Sequence, residues 1–137
     1  MDIHELTSLF KLYPEVFPSG YYRFLGARLR SHIDKGTIWF EDGVLLTWIE
    51  YKRNRLHIHK GDIKLDQLVS RQQGNGKAKQ LVDRLVNQFD DRNIWVEVRK
   101  DNHRAIRFYQ KCGFKTVELK RFNNLEGLVM YRAPSLA

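Results

Sequence analysis

The sequence predicts one α/β (α+β) domain of 137 residues, with helices packed on a central sheet. A strand-like apolar run at 63–69 leads through a glycine-rich turn into a helical stripe at 76–89. A second strand and helix follow at 94–98 and 102–111. An Asp42-Gly43 turn between two further strand-like runs predicts a hairpin, so part of the sheet is expected to be antiparallel.

Two helices are predicted before the hairpin, because apolar residues recur there every three or four positions. The first is expected to end near Pro14 and the second at Gly36, which can adopt the left-handed cap conformation. The apolar stripes of the two helices are Ile3, Leu6, Phe10 and Tyr13, and Tyr22, Leu25, Leu29 and Ile33.

The other elements follow from alternation of apolar and polar residues, turn residues and a glycine cap. Residues 37–41 and 44–52 form the predicted hairpin, and 55–59 form a further strand-like run. Gly113 is expected to cap the helix at 102–111. A final strand pair, 114–120 and 127–132, is expected to turn at Asn123-Asn124. Counted without the short run at 55–59, the predicted order is ααβββαβαββ.

The loop that joins the strand at 63–69 to the next helix predicts a binding site for phosphate. The start of a helix exposes unpaired N–H groups and the positive end of the helix dipole. Glycines let a ligand approach the backbone closely, and Lys77 adds a positive charge. The loop residues are Arg71, Gln72, Gln73, Gly74, Asn75, Gly76, Lys77 and Ala78.

Several known patterns can be compared with this loop. A dinucleotide fingerprint needs a third glycine where Lys79 stands. A P-loop needs glycine at Arg71 and serine or threonine at Ala78. A plain Asn-Gly hairpin turn needs a strand on its far side, whereas a helical period follows. The pattern Arg/Gln-x-x-Gly-x-Gly/Ala matches at each fixed position.

A second pattern, Asn-x-x-Ala-x-x-x-Tyr-x-x-x-Gly-Phe, follows the strand at 94–98. Its residues are Asn102, Ala105, Tyr109, Gly113 and Phe114. In this order the two patterns resemble the signatures of the Gcn-related N-acetyltransferases, the GNAT superfamily, over roughly residues 37–132. The string from Trp95 to Arg99 also resembles the enzymes that acetylate the N termini of ribosomal proteins.

The resemblance implies a GNAT acyltransferase fold, with a mixed, mostly antiparallel sheet, splayed strands and about four helices. It implies acetyl-CoA as co-substrate, without a metal, and a primary amine as acceptor: a protein N terminus, a lysine or a small amine. The loop would bind the pyrophosphate, and Asn102 the adenine-proximal arm. The backbone of Leu68, Val69 and Ser70 would pair with the pantetheine arm. The family's first strand has no counterpart here, so it is lost or the chain is trimmed.

Tyr109 is the candidate general acid. The resemblance places the matching tyrosine at the sulfur of coenzyme A, where its hydroxyl can protonate the leaving thiolate. The alternative is a core aromatic, because Ala105, Phe108, Tyr109 and Cys112 share one face of the predicted helix. Phe108 can fill the core position, which leaves Tyr109 for the cofactor.

Glu97 is the candidate general base. It shares one strand face with Trp95, and a carboxylate on a core strand is costly to bury unless it is paired or lies in a cleft. The matching glutamate of the ribosomal-protein enzymes acts as base. The alternative is an ion pair with Arg99, Arg107 or a lysine. Asp66, on the preceding strand, is the reserve candidate.

Two other groups of potentially reactive residues give little indication of a functional site. His57 and His59 share a strand face and Asp62 follows, but no third ligand has convincing spacing, so a metal is not expected. Cys112, just before the capping glycine, is expected to be a small core residue. As the only cysteine it cannot form an internal disulfide, which favours a reducing cytoplasm.

The net charge of +8 and a pI of about 9.7 leave an alternative function open. A basic binding module on the same fold would attract nucleic acid or aminoacyl-tRNA without acetylating an amine. Its surface would carry Tyr21, Tyr22, Arg23, Phe24, Arg28 and Arg30. No apolar run approaches about 20 residues, so no membrane partner is expected. The protein is expected to be a monomer or a homodimer.

Overall fold

In the computed structural model, which describes residues 1–55, 57–122 and 125–134, the chain forms four α-helices, one 3-10 helix and six strands in the predicted order. The helices are α1 (Ile3–Phe10), α2 (Leu25–Lys35), α3 (Lys77–Gln88) and α4 (His103–Lys111), with the 3-10 helix at Ser19–Arg23. The strands are β1 (Ile38–Glu41), β2 (Val44–Glu50), β3 (Ile63–Ser70), β4 (Ile94–Arg99), β5 (Lys115–Phe122) and β6 (Leu125–Arg132).

The six strands form one mixed, mostly antiparallel sheet in the order β1-β2-β3-β4-β6-β5. The pairs β1–β2, β4–β6 and β5–β6 are antiparallel, and β3–β4 is parallel. A parallel pair needs a crossover connection, which α3 supplies. Within residues 1–55 no strand precedes α1, and β1 lies at one edge of the sheet.

The parallel strands β3 and β4 are paired over a short stretch. Their register joins Ile63 to Ile94 and Lys64 to Trp95. Both strands continue beyond these positions, β3 to Ser70 and β4 to Arg99, and no further β3–β4 pair forms among the described residues. The predicted splayed strands are therefore present, and they begin after the second pair.

The chain folds as two compact units. The first contains residues 1–48 and 67–78, and its core unites the apolar faces of α1 and α2 with strands β1, β2 and β3. The predicted stripes of both helices enter this core, with Tyr13 and Ile33 partly buried at its margin. The buried residues of this core are Leu6, Leu9, Phe10, Leu25, Leu29, Ile38, Leu45 and Val69.

The second unit contains residues 49–66 and the described residues from 79 onward. The stripe of α3 is buried in it, and so are the alternating residues of β4. Gly113 ends α4 with φ of 90°, while the Phe114 N–H donates to the Tyr109 carbonyl at 3.0 Å. This is the predicted glycine cap. A Cβ there would lie 2.9 Å from Nε of Arg132, so a larger residue would also collide.

The strand predicted at 55–59 is wrong. Residues Arg55 and Ile58 form only an isolated antiparallel bridge, and residue 56 lies outside the described part. Local partners satisfy this backbone: the Asn54 side chain accepts from the Lys60 N–H at 2.8 Å. Such side-chain bonds favour a turn over a strand. The predicted turn at residues 123–124 also lies outside the described part.

Candidate active site: the glycine loop and the β4 face

The predicted phosphate loop joins β3 to α3 as an exposed turn. Gly74 and Gly76 have φ of 85° and 79°, which favours glycine at both positions. A Cβ built on either would meet no atom within 4 Å, so the space beside the backbone is open. The Asn75 side chain accepts from the N–H of Lys77, the first residue of α3, at 3.0 Å, which is an Asx turn that leads into the helix. This arrangement suits a bound anion.

Three contacts hold the beginning of this loop. The Arg71 N–H donates to the Gly43 carbonyl at 2.8 Å, and the Ser70 hydroxyl donates to the Gln72 carbonyl at 2.7 Å. The Tyr13 hydroxyl donates to the Ser70 carbonyl. Gly43 has φ of 76°, and a Cβ there would lie 3.1 Å from Cβ of Arg71. The hairpin turn therefore comes this close to the loop because position 43 is glycine.

Acidic side chains accompany both basic side chains of the loop. Lys77 Nζ lies 3.0 Å from Asp42 Oδ2, and Arg71 Nη2 lies 3.6 Å from Glu5 Oε1. Pairs as exposed as these contribute little stability. They do reduce the net positive charge that an incoming phosphate meets. Sequence patterns gave no sign that Asp42, Glu5 or Tyr13 contacts this loop, because the contacts join residues far apart in the chain.

The backbone predicted to pair with pantetheine lies at the end of β3. Val69 is buried, whereas Leu68 and Ser70 are half-buried. The Ser70 carbonyl already accepts from Tyr13, but a carbonyl oxygen has two lone pairs and can accept a second bond. Asn102 is the N-cap of α4, because its Oδ1 accepts from the Ala105 N–H at 3.2 Å. Its predicted contact with the cofactor stays a prediction.

Tyr109 lies on α4 with 7% of its surface exposed. Its ring meets those of Phe108 and Phe114 edge-on, with centroids 5.2 and 5.5 Å apart. Among the described residues its hydroxyl makes no hydrogen bond. Burial, and to a smaller extent the thiol of Cys112, raises the pKa of Tyr109 above its ordinary value. The phenol is therefore protonated throughout the physiological range.

Cys112 is buried and has no disulfide partner. Burial raises the pKa of its thiol to about 11, and the carboxylate of Asp83 acts in the same direction. The neutral thiol is a poor nucleophile. The structure thus supports the predicted core role of Cys112.

Glu97 lies on β4 beside Lys64 of β3, in the second unit. Lys64 Nζ is 3.9 Å from Glu97 Oε1, and the two side chains are 22% and 27% exposed. The predicted ion-pair alternative is therefore present, with a lysine as partner. Arg99 binds Asp101 through two hydrogen bonds, with Nε–Oδ1 and Nη2–Oδ2 distances of 3.1 and 2.8 Å.

Tyr51, just after β2, is a titratable neighbour of Glu97 that the sequence patterns did not indicate. Burial raises the pKa of Tyr51 to about 12, and the negative charge of Glu97 is the next cause. Asp66 and Asp62 raise it further, while Arg55 opposes them. The reserve candidate base, Asp66, therefore belongs to the same electrostatic environment.

Asp62, considered above as a metal ligand, has a structural role instead. It is buried and accepts from Trp95 Nε1 at 2.9 Å, from Asn93 Nδ2 at 3.2 Å and from the His59 N–H at 2.9 Å. Within the described residues, no group of three or more His, Cys, Asp or Glu side chains is placed to bind a metal ion.

The surface proposed for nucleic acid loses two of its aromatics to the core, because Tyr21 and Tyr22 both pack against it. Tyr21 stacks on Phe10 with ring centroids 5.7 Å apart, and its hydroxyl accepts from Gln67 Nε2 at 3.0 Å. Phe24 remains 67% exposed, with the Arg23 guanidinium 5.1 Å from its ring centroid. In the part of the chain that the structure describes, no helix is long and apolar enough to cross a membrane.

The element order, the splayed parallel strands and the glycine loop at the start of α3 define an acyltransferase of the Gcn-related type. The model of the acetyltransferase (GNAT) family matches residues 3–114. The chain therefore belongs to the GNAT family and is an acyl-CoA-dependent N-acetyltransferase. No curated protein matches the sequence.

Solved structures of other acetyltransferases share the fold. Naa20 from Chaetomium thermophilum, in complex with a bisubstrate analogue, has a TM-score of 0.75 at 16% identity, covering 97% of this chain and 84% of its own. Ard1 from Thermoplasma volcanium has a TM-score of 0.69 at 18% identity, covering 96% and 93%. The ribosomal-protein-S18-alanine N-acetyltransferase from Escherichia coli has a TM-score of 0.60 at 18% identity, covering 82% and 78%.

Proposed function

We propose that the protein transfers an acetyl group from acetyl-CoA to a primary amine by direct attack, with Glu97 as base and with the hydroxyl of Tyr109, the predicted acid, donating a hydrogen bond to the leaving sulfur. The observation that carries the proposal is the glycine loop: an open, exposed turn at the start of α3 in a member of the GNAT family. Helix starts of this kind bind phosphate groups.

The loop would bind the pyrophosphate of acetyl-CoA through backbone N–H groups between Gln72 and Lys77. Gly74 and Gly76 leave the space that the phosphates need, and the Lys77 ammonium adds charge. The pantetheine arm would extend β3 by pairing with the backbone at Leu68, Val69 and Ser70. Binding of the cofactor would therefore depend mostly on backbone groups and only a little on the side chain of Arg71.

The transfer forms one bond and breaks another. The amine nitrogen attacks the thioester carbon and passes a proton to Glu97, directly or through a water. The tetrahedral intermediate then collapses, the C–S bond breaks, and coenzyme A leaves as a thiolate that takes up a proton. A carboxylate on β4 can accept the amine's proton only while it is ionised, which predicts that the rate rises with pH.

Tyr109 would interact with the leaving sulfur. Its raised pKa keeps the hydroxyl protonated and ready to donate a hydrogen bond. A free thiol has a pKa of about 8.5, below that of any tyrosine in an apolar site. Complete proton transfer from the phenol is therefore uphill, and its main contribution would be a hydrogen bond to the developing thiolate, with solvent supplying the final proton.

The test is release of free thiol from acetyl-CoA over a panel of peptides, polyamines and small amines. We expect activity with at least one amine. Glu97→Gln, which preserves shape, should lower kcat and remove the acid limb of the pH–rate profile, once the titration of the acceptor amine is measured separately. If Glu97→Gln keeps full activity and an unchanged pH–rate profile, Glu97 is not the base, and Asp66 or a water would take that role.

A further inference from the structure

Lys64 is a cation within ion-pair distance of the proposed base, Glu97. Lys64 stands opposite Trp95 in the β3–β4 register, and Glu97 lies two residues further along β4. Side chains two residues apart on a strand share a face, so Lys64 and Glu97 project to the same side of the sheet. Their charged atoms are 3.9 Å apart, and about three-quarters of each side chain is covered.

This pair is an ion pair without a direct hydrogen bond. Charge-assisted hydrogen bonds are about 2.8 Å long, clearly shorter than the 3.9 Å seen here. Within the described residues, the Lys64 ammonium donates no hydrogen bond, although it carries three donors and is mostly covered. An ammonium group that is partly removed from water and donates no hydrogen bond favours an anionic ligand.

The acceptor amine brings a second positive charge to the same place. If an ammonium group binds Glu97 before it loses its proton, it lies beside the Lys64 ammonium, and like charges at this distance repel. A carboxylate on the acceptor, close to its amine, would restore alternating charges by pairing with Lys64. Among the residues of β3, all of which the structure describes, Lys64 is the only cation, and Asp66 lies two residues from it on the same face.

We propose that Lys64 determines acceptor specificity, and that the acceptor is an amine with a carboxylate nearby. The carboxylate could belong to a free α-amino acid or to an acidic side chain that follows a peptide N terminus. This inference rests on the proposed function, because it assigns the acceptor of the same reaction. The net charge of +8 favours encounter with such acidic acceptors.

The experiment compares kcat/KM for acceptors that differ only in charge. One arm uses tripeptides with Asp, Asn or Lys at the second position, and the other uses free amino acids and their amides. We expect the carboxylate-bearing member to be preferred by about 3- to 10-fold in at least one arm, the scale of a partly exposed charge pair. The arm that shows the preference identifies the source of the carboxylate.

Variants of Lys64 test the cause of the preference. Lys64→Glu should reverse it, and Lys64→Arg should retain it. Lys52→Glu is the matched control, because Lys52 forms a comparable pair with Glu50 at 3.0 Å on an exposed part of the same unit. If neither arm prefers the carboxylate-bearing acceptor, or if the preference is equal in wild type and Lys64→Glu, the inference is overturned while the acetyl transfer stays intact. Failure to acetylate any amine would overturn both.

Discussion

At the scale of single residues, burial decides which groups can react. Tyr109 and Cys112 lie on one helix, three residues apart, and desolvation is the main cause of the raised pKa of each. The buried phenol remains useful, since a hydrogen-bond donor must keep its proton. The buried thiol loses its reactivity, since a nucleophile must give its proton up. The same environment therefore favours one role and suppresses the other.

Replacing Tyr109 by phenylalanine removes the donor and keeps the ring. We expect kcat to fall by roughly 10- to 100-fold, because the hydrogen bond would form to the leaving sulfur in the transition state. The Michaelis constant for acetyl-CoA should change little. Steady-state kinetics measures both values. Weaker binding at unchanged kcat would instead assign Tyr109 to packing.

The thiol of Cys112 should react slowly in the folded protein. With a pKa of about 11, roughly one molecule in a thousand carries the thiolate at pH 8. We expect labelling by a thiol reagent at that pH to be at least about 100-fold slower than in urea, where the pKa returns to about 8.5. The absence of a second cysteine makes the readout unambiguous. Equal rates would show that the thiol is accessible and ionised.

At the scale of elements, the β3–α3 loop depends on its neighbours in the first unit. Its backbone is held by the β1–β2 turn through Arg71 and Gly43, and Tyr13, beyond the end of α1, binds the Ser70 carbonyl. Loops held at their ends can present N–H groups in a fixed direction, which preorganises an anion site. The glycines within the loop then leave its centre open.

A negative charge at Gly76 should block the cofactor. Asp and Asn both tolerate the left-handed conformation of this position, so Gly76→Asp and Gly76→Asn differ mainly in charge. We expect calorimetry to show acetyl-CoA binding at least about tenfold weaker for Gly76→Asp than for Gly76→Asn. Equal affinities in two folded variants would contradict the proposal that this loop binds the pyrophosphate.

At the scale of the whole molecule, two phenols link stability to alkaline pH. Burial raises the pKa of Tyr51 to about 12 and raises that of Tyr109 as well, against an ordinary value of about 10 in the unfolded chain. Above pH 10 the unfolded chain loses these protons while the folded chain keeps them. The free energy of unfolding must therefore decrease as pH rises from 10 to 12.

Tyr51→Phe should lessen this alkaline loss. A pKa shift from 10 to about 12 corresponds to roughly 2 kcal/mol of stability lost between pH 10 and pH 12. Because Tyr51 is only about half-buried, we expect roughly half of this, so the variant should lose about 1 kcal/mol less stability than the wild type. Below pH 9 the gap between the two proteins should be independent of pH. Urea unfolding at each pH gives the values. Parallel curves up to pH 12 would show that Tyr51 titrates normally.

The sequence by itself determined the order of elements, the glycine cap at Gly113 and the position of the glycine-rich loop between β3 and α3. These features depend on neighbours in the chain: apolar periodicity, turn residues and backbone freedom act over a few positions. The strand predicted at 55–59 failed for a related reason: the side chains of Asp62 and Asn54 offered the N–H groups of His59 and Lys60 local partners that alternation does not reveal.

Only the tertiary structure decided what surrounds each candidate residue. The Lys64–Glu97 pair, the Tyr51 environment and the acidic partners of Lys77 and Arg71 join residues far apart in the chain. Periodicity shows on which face a side chain lies, but the partner opposite depends on strand register and on the packing of distant elements. Charge and burial at a site are sums over such neighbours, so they exist only once the chain has folded.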